Sequence, residues 1–124
     1  HSGSGLVFVE GSSDAHGRAY TLQVPASRAG ALEGHAGRAI VMGVRPQMLR
    51  EGDDSAGRTW RLPVRVVEPL GDSMDVYCGT PKHTHIVARV PAHSRLGAGA
   101  EAAFTVDMDE VHFFEPGEFG RALR

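Results

Sequence analysis

Four groups of side chains in this sequence carry chemistry by their type and spacing. His83 and His85 stand two apart, so on an extended strand their imidazoles face the same way and can share a metal ion. Two imidazoles without a third ligand nearby are a weak signal, and they read as solvent-facing turn residues; no metal site is assigned. Cys78, the only cysteine, can form a nucleophilic pair with a histidine, but it falls on the apolar side of a strand-like run, where a thiol packs as a small hydrophobe. Asp107, Asp109 and Glu110 offer carboxylates for acid/base work or a hard cation. Neighbouring positions on a strand point to opposite faces and no glycine-centred ligand loop is present, so they read as a solvated turn.

Arg58, Arg61 and Arg65 form the fourth group, and their use would be a nucleic-acid groove. Such a groove needs exposed aromatics beside the cations. The chain has one Trp, two Tyr and five Phe, and its formal charge is −2; Tyr20 and Phe104 also fall at core-like positions. Nucleic acid is therefore not expected as a partner. No GxxxxGK[ST] run occurs, so no phosphate-cradling loop can be assigned. No residue is assigned a catalytic or cofactor-binding role.

The elements that would position these residues are short strands. Leu62, Val64 and Val66 alternate onto one side of an extended run, and Met74, Val76 and Cys78 onto one side of the next. Pro69 cannot donate to a ladder and Gly71 can take a positive φ, so Glu68 to Asp72 reads as the corner folding these strands together. Leu6–Glu10 and Ala19–Val24 read as an earlier hairpin across a polar loop. Ser27 is expected to cap a weak helix stopped by Gly34 or Gly37.

Arg38 to Val44 is nearly all apolar and reads as a central strand covered on both faces, with a bulge or close backbone approach at Gly43. Pro46 takes the chain out of it, and residues 50–58 form a polar surface loop. Thr80 to His83 is a turn. Thr84–Val90, Glu101–Met108 and Val111–Phe114 are further strands, and the chain after Glu115 is expected to lack regular structure. About nine short strands and one weak helix point to a mostly β fold, as two packed β units or a barrel.

Composition agrees. A chain of 124 residues, 41% hydrophobic and 23% charged, is one globular domain or two very small ones. Its sixteen Gly and seven Pro are spread among the apolar runs, which suits strands and turns. No stretch reaches the roughly 18 apolar residues of a membrane-spanning helix, and a single cysteine favours a reducing, cytosolic setting. The opening HSGSG reads as a cloning or protease scar, residues 1–5, ahead of a domain at 6–124.

The stretches GVRPQML (43–49), VRVVEPLGDSMDVYC (64–78), IVARVP with SRLGAG, and VHFFEPGEFGRAL, in this order, resemble one family. It is the C-terminal regulatory region, the transport-associated OB domain, of ATP-binding-cassette ATPases that drive importers of the maltose and glycerol-phosphate type. Gly43, Val44, Arg45 and Pro46 match the family's Gly-Ile/Val-Arg-Pro-Glu turn, with Gln47 in place of Glu. Val67, Glu68, Pro69, Leu70 and Gly71 match its Val-Glu-Pro-Leu-Gly corner. Phe114-Glu115-Pro116 stands for Phe-Asp-Pro, and Gly120 to Leu123 matches the family's close.

The resemblance implies an OB-like β barrel with an additional small β unit and one short helix, attached to a cassette domain expected upstream. It implies a non-catalytic regulatory and dimerisation domain that tethers two ATPase subunits during uptake of a sugar or similar solute. ATP and Mg belong to the cassette. The implied partners are a second copy, the cassette domain, permease subunits through the cassette and, in some relatives, a regulatory protein; the implied location is the cytoplasmic face of the membrane. On the same basis Arg45, Pro46, Gln47, Glu68, Leu70, Gly71 and Asp72 are the candidate partner interface. An exposed Leu70 would favour contact and a buried one mere chain closure. Two other readings remain: a sensor of a small ligand, sugar or oxyanion, and an oligonucleotide-binding OB domain.

Overall fold

A computed structural model describes residues 3–53, 57–117 and 120–124. Among these residues ten strands fall into three groups, all antiparallel. Five of them form a sheet in the order β4 (Leu49–Glu51), β8 (Glu101–Val106), β5 (Thr59–Pro69), β6 (Ser73–Cys78) and β7 (Ile86–Pro91). This sheet coils into a nearly closed OB-like barrel. The long strand β5 makes the coiling feasible because its first half pairs with β8 and its second half with β6. One strand thereby serves two directions of the sheet.

The hand-over falls at a bulge. Val64 pairs with Cys78 and Val66 with Tyr77, so two residues of β5 advance against one of β6 and the alternation flips. Leu62 and Val64 are buried as their spacing predicts, and so are Met74, Val76 and Cys78. Val66, expected on the same side, is instead 55% exposed, while Val67 turns inward to pack on the core. The corner beyond closes through the Leu70 amide donating to the Ser73 carbonyl at 2.8 Å, with Gly71 at φ 96°. A side chain there is disfavoured by the backbone alone, since an added Cβ would meet open space. Gly71→Ala is expected to cost about 1 kcal/mol of unfolding free energy in urea titration, and no loss would show that the corner relaxes.

β1 (Gly3–Ser13) and β2 (Ala19–Pro25) form the expected hairpin, longer than its apolar run suggests. It docks on the barrel through Tyr20 and Trp60, whose rings meet edge-on at 5.9 Å. The Tyr20 hydroxyl donates to the Arg61 carbonyl and Trp60 Nε1 to the Thr21 carbonyl, each at 3.2 Å. Helix α1 (Ala26–Leu32) continues from β2 into a 3-10 turn at Glu33–His35. It has no side-chain cap. Ser27 instead donates to Asp109 Oδ1 at 3.0 Å, and Arg28 reaches the Met108 and Asp109 carbonyls and lies over the Phe113 ring. Tertiary contact, rather than a local cap, holds so short a helix.

The remaining sheet has the order β10 (Ala122–Leu123), β9 (His112–Phe114) and β3 (Val41–Gly43). Two expectations change here. Arg38–Val44 is not a central strand: only Val41–Gly43 is extended, it is an edge strand paired with β9, and Val41 is 47% exposed. A continuous apolar run is equally suited to lining a cleft, and that is its use here. The tail, expected to lack regular structure, contributes β10 against Phe113 and Phe114. The close approach at Gly43 is present, since a Cβ there would stand 3.2 Å from Phe114 Cε2.

The core runs through both units. Phe104, Leu62, Val76, Leu22 and Ala88 have no exposure at all, and Phe113, Met108 and Val106 are nearly as deep. Asp107 and Asp109 belong to the turn that leaves β8, where the Asp107 carbonyl accepts from the amides of Glu110 and Val111.

Candidate functional site

The candidate interface residues separate into two places. Arg45 lies extended ahead of Pro46, as a residue before proline must, and the Met48 amide donates to its carbonyl at 2.9 Å in the 3-10 turn Pro46–Met48. Arg45 and Gln47 are exposed, and Pro46 is half-buried. Glu68, Leu70, Gly71 and Asp72 are all exposed, with Leu70 at 44%. The Asp72 carbonyl accepts from the Ala92 amide just past the end of β7, whereas Pro46 lines a cleft with Ile86 and Val87 at the beginning of that strand. β7 runs between the two groups, a span of about 17 Å for six residues.

That cleft has a volume of about 790 Å³. It opens between β1, the 35–44 segment and the start of β7. Its walls include Leu6, Phe8, Ile40, Met42, Val44 and Ile86, all half-buried against the core. Five large hydrophobic side chains are exposed among the described residues: Val7, Val9, Val41, Val66 and Leu70. The first three line the cleft, Leu70 sits at the β5–β6 corner, and Val66 lies further back on β5 opposite Tyr77. Three of the five therefore share the cleft, and clustering of exposed apolar side chains is the usual mark of a contact surface.

At one end of the cleft stands a polar cluster that the sequence reading missed. Glu10 is 7% exposed. It accepts hydrogen bonds from the Ser12 amide at 2.8 Å, from the Ser12 and Thr80 hydroxyls, and contacts His83 Nδ1. Thr80 Oγ1 in turn accepts from the His83 amide at 2.8 Å, fixing the 80–83 turn. Burial pushes the Glu10 carboxyl up, but the bonds from Ser12, Thr80 and His83 outweigh it and hold the pKa at about 2. The cluster pins β1 to the turn between β6 and β7, joining the hairpin to the barrel. Its signal was legible: Leu6, Phe8 and Glu10 alternate onto one side of β1, putting a charge at a core-facing position.

The other chemistry-bearing groups are occupied elsewhere. His83 and His85 precede β7 instead of lying on it, so the alternation argument for a shared face does not hold; the His85 ring meets Tyr77 with centroids 5.8 Å apart. Among the described residues no group of three or more His, Cys, Asp or Glu is placed to hold a metal. Cys78 is buried and desolvation pushes its thiol to about 11, although Arg65 draws it downward, so it is no nucleophile at neutral pH. Arg61 pairs with Asp53 at 3.0 Å and Arg65 donates to the Thr84 carbonyl at 3.0 Å. Asp75 and Arg89 form a two-bonded pair across β6 and β7 at 2.8 and 3.2 Å. The Arg89 guanidinium holds the Asp75 carboxyl below its ordinary range.

Comparison with known proteins places this geometry in context. The TOBE domain family matches residues 42–114. The alpha-glucoside transport ATP-binding protein AglK of Rhizobium meliloti (strain 1021) is 33% identical over 104 residues, or 82% of this chain. The chain spans 26% of that relative's length. A solved structure of the cytoplasmic molybdate-binding protein ModG, with molybdate bound, superposes with a TM-score of 0.61 at 21% identity, over 81% of this chain and 78% of the other.

Proposed function

The chain belongs to the TOBE domain family, and from that membership we propose that it is the non-catalytic regulatory and dimerisation domain of an ATP-binding-cassette importer's ATPase subunit. The observation that carries this reading is the 33% identity to an alpha-glucoside transport ATP-binding protein over 82% of the chain. The match is too long to rest on the barrel's short motifs alone. The domain tethers two ATPase subunits while their cassettes separate and close. A contact that persists through the cycle keeps the cassettes at high effective concentration, so reclosure is intramolecular. ATP and Mg²⁺ are held by the cassette domain, since this sequence has no GxxxxGK[ST] loop. The cassette domain and, through it, membrane permease subunits are the partners, at the cytoplasmic face of the membrane; a regulatory protein is a further one.

The contact is assigned to the β5–β6 corner, Glu68 to Asp72, because Leu70 stands 44% exposed on a turn that hydrogen bonds hold rigid. Burying a leucine side chain is worth about 1.5 kcal/mol, roughly tenfold in affinity. Sedimentation equilibrium over a wide dilution range is expected to show a reversible dimer whose dissociation constant rises about a hundredfold in Leu70→Asp, since both copies lose the side chain. A strict monomer, or a variant that associates like the parent, would overturn the assignment. A second reading, small-ligand sensing, is favoured by the 790 Å³ cleft and by a fold shared with a molybdate-binding protein.

A further inference from the structure

The cleft between β1, the 35–44 segment and β7 has an unusual inventory. Among the described residues its walls carry no Ser, Thr, Asn, Gln or Asp. The polar side chains present are Arg38, Lys82 and three histidines, with Glu10 as the single acid. Glu10 is already engaged by Ser12, Thr80 and His83. Arg38 and Lys82, in contrast, form no ion pair with any described residue, and both are exposed at the cleft. The Lys82 ammonium is held over β1: a Cβ on Gly11 would lie 2.9 Å from its Nζ.

This inventory discriminates among ligands. A sugar presents many hydroxyls and would find few neutral side-chain partners beyond the imidazoles of His35, His83 and His85, one of which Glu10 already engages, so much of its desolvation would go uncompensated. A compact inorganic oxyanion needs several convergent donors and would leave the apolar walls wet. A cation meets uncompensated positive charge. What fits is an apolar body against Leu6, Phe8, Ile40 and Met42 with one negative head met by a cation lining the cleft, Arg38 or Lys82.

We infer that this cleft binds a small amphiphilic organic anion, with an apolar body of roughly eight to twelve carbons and a single acidic head group. The inference rests on the ligand-sensing reading and is independent of subunit tethering. It makes the domain's regulatory input an acyl or aryl acid instead of a sugar or an oxyanion.

Calorimetric titration of the chain tests it with decanoate below its micelle concentration, decanol, maltose and molybdate. Decanoate is expected to give a saturable one-to-one isotherm, about tenfold tighter than decanol and weakening as salt is raised. The double variant Arg38→Gln/Lys82→Gln, with both changes at exposed positions, should bind decanoate and decanol alike while keeping the parent's thermal midpoint. Val87→Trp, which fills the cleft, should abolish binding of both. Equal affinity for decanoate and decanol in the parent, or retained preference in the double variant, overturns the site. Heat from maltose or molybdate with none from decanoate overturns this ligand class while leaving ligand sensing intact. No heat from any of the four removes both.

Discussion

Phe104→Ala is expected to lower the unfolding free energy by about 4 kcal/mol, a large part of the roughly 5–15 kcal/mol typical of a whole domain. Phe104 has no exposed surface and sits at the middle of the barrel's wiring. On β8 it pairs with Glu51 of β4 on one side and with Trp60 of β5 on the other. Trp60 is also the residue through which the β1–β2 hairpin docks, by its ring contact with Tyr20 and its bond to the Thr21 carbonyl. Strands fixed on both sides cannot collapse into the space a truncated ring would leave, so the cavity term adds to the lost transfer energy. Urea unfolding reads the result as a fall in midpoint with an unchanged m-value. A loss below about 1 kcal/mol would mean that the barrel closes around the gap.

Glu10→Ala is expected to cost about 3 kcal/mol at pH 7, and the loss should depend on pH. The variant removes the shared acceptor of Ser12 and Thr80 and the partner of His83, leaving the Thr80 hydroxyl, in a residue 1% exposed, with only the long bond to the His83 carbonyl at 3.4 Å. The Glu10 carboxyl has a folded pKa of about 2 against an ordinary 4.5. A carboxyl with a depressed folded pKa contributes its full stability above the unfolded value and loses it as pH falls through the folded one. The parent and variant should therefore differ fully above about pH 5.5 and converge between there and about pH 2. Urea titrations at pH 7, 4.5 and 3 check this. A difference that stays constant across that series would assign the loss to packing and not to the charge.

The two surfaces proposed for function do not overlap. Leu70 belongs to the corner near the Pro91 end of β7, and the cleft opens by Ile86 and Val87 at its start; Val66 lies level with Val87 across Tyr77 and belongs to neither surface. A tether at one end and a ligand site at the other allow Leu70→Asp to change association without touching ligand heat, and Val87→Trp the reverse. β7 itself is tied to β6 along its length by cross-strand pairs and by the Asp75–Arg89 ion pair.

Much of the fold was legible before any coordinates. The alternation at Met74, Val76 and Cys78 placed all three in the core, and Tyr20 and Phe104 are buried as their core-like positions implied. The turn residues of the 68–72 corner were readable because proline and glycine act through their own backbone restrictions. Val66 was misplaced because a bulge is a property of two strands in register, and one strand's periodicity continues through it unmarked. Ser27 was misread as a cap because its partner, Asp109, is 82 positions away.

The sequence by itself determined the local decisions: where strands start, which face of each is apolar, where the chain turns, and, through the spacing of several short motifs, the family. These depend on side-chain alternation and on the φ preferences of single residues, and both act within a few positions. Only the tertiary structure decided what surrounds each element. It made Val41–Gly43 an edge strand at a cleft, and it brought Glu10, Thr80 and His83 together. It left Arg38 and Lys82 lining an apolar cleft without an ion pair to any described residue, and it put the Arg45 turn and the Leu70 corner at opposite ends of β7. Those outcomes are contacts between distant segments, and burial, charge pairing and cavity shape exist only once the chain has closed on itself.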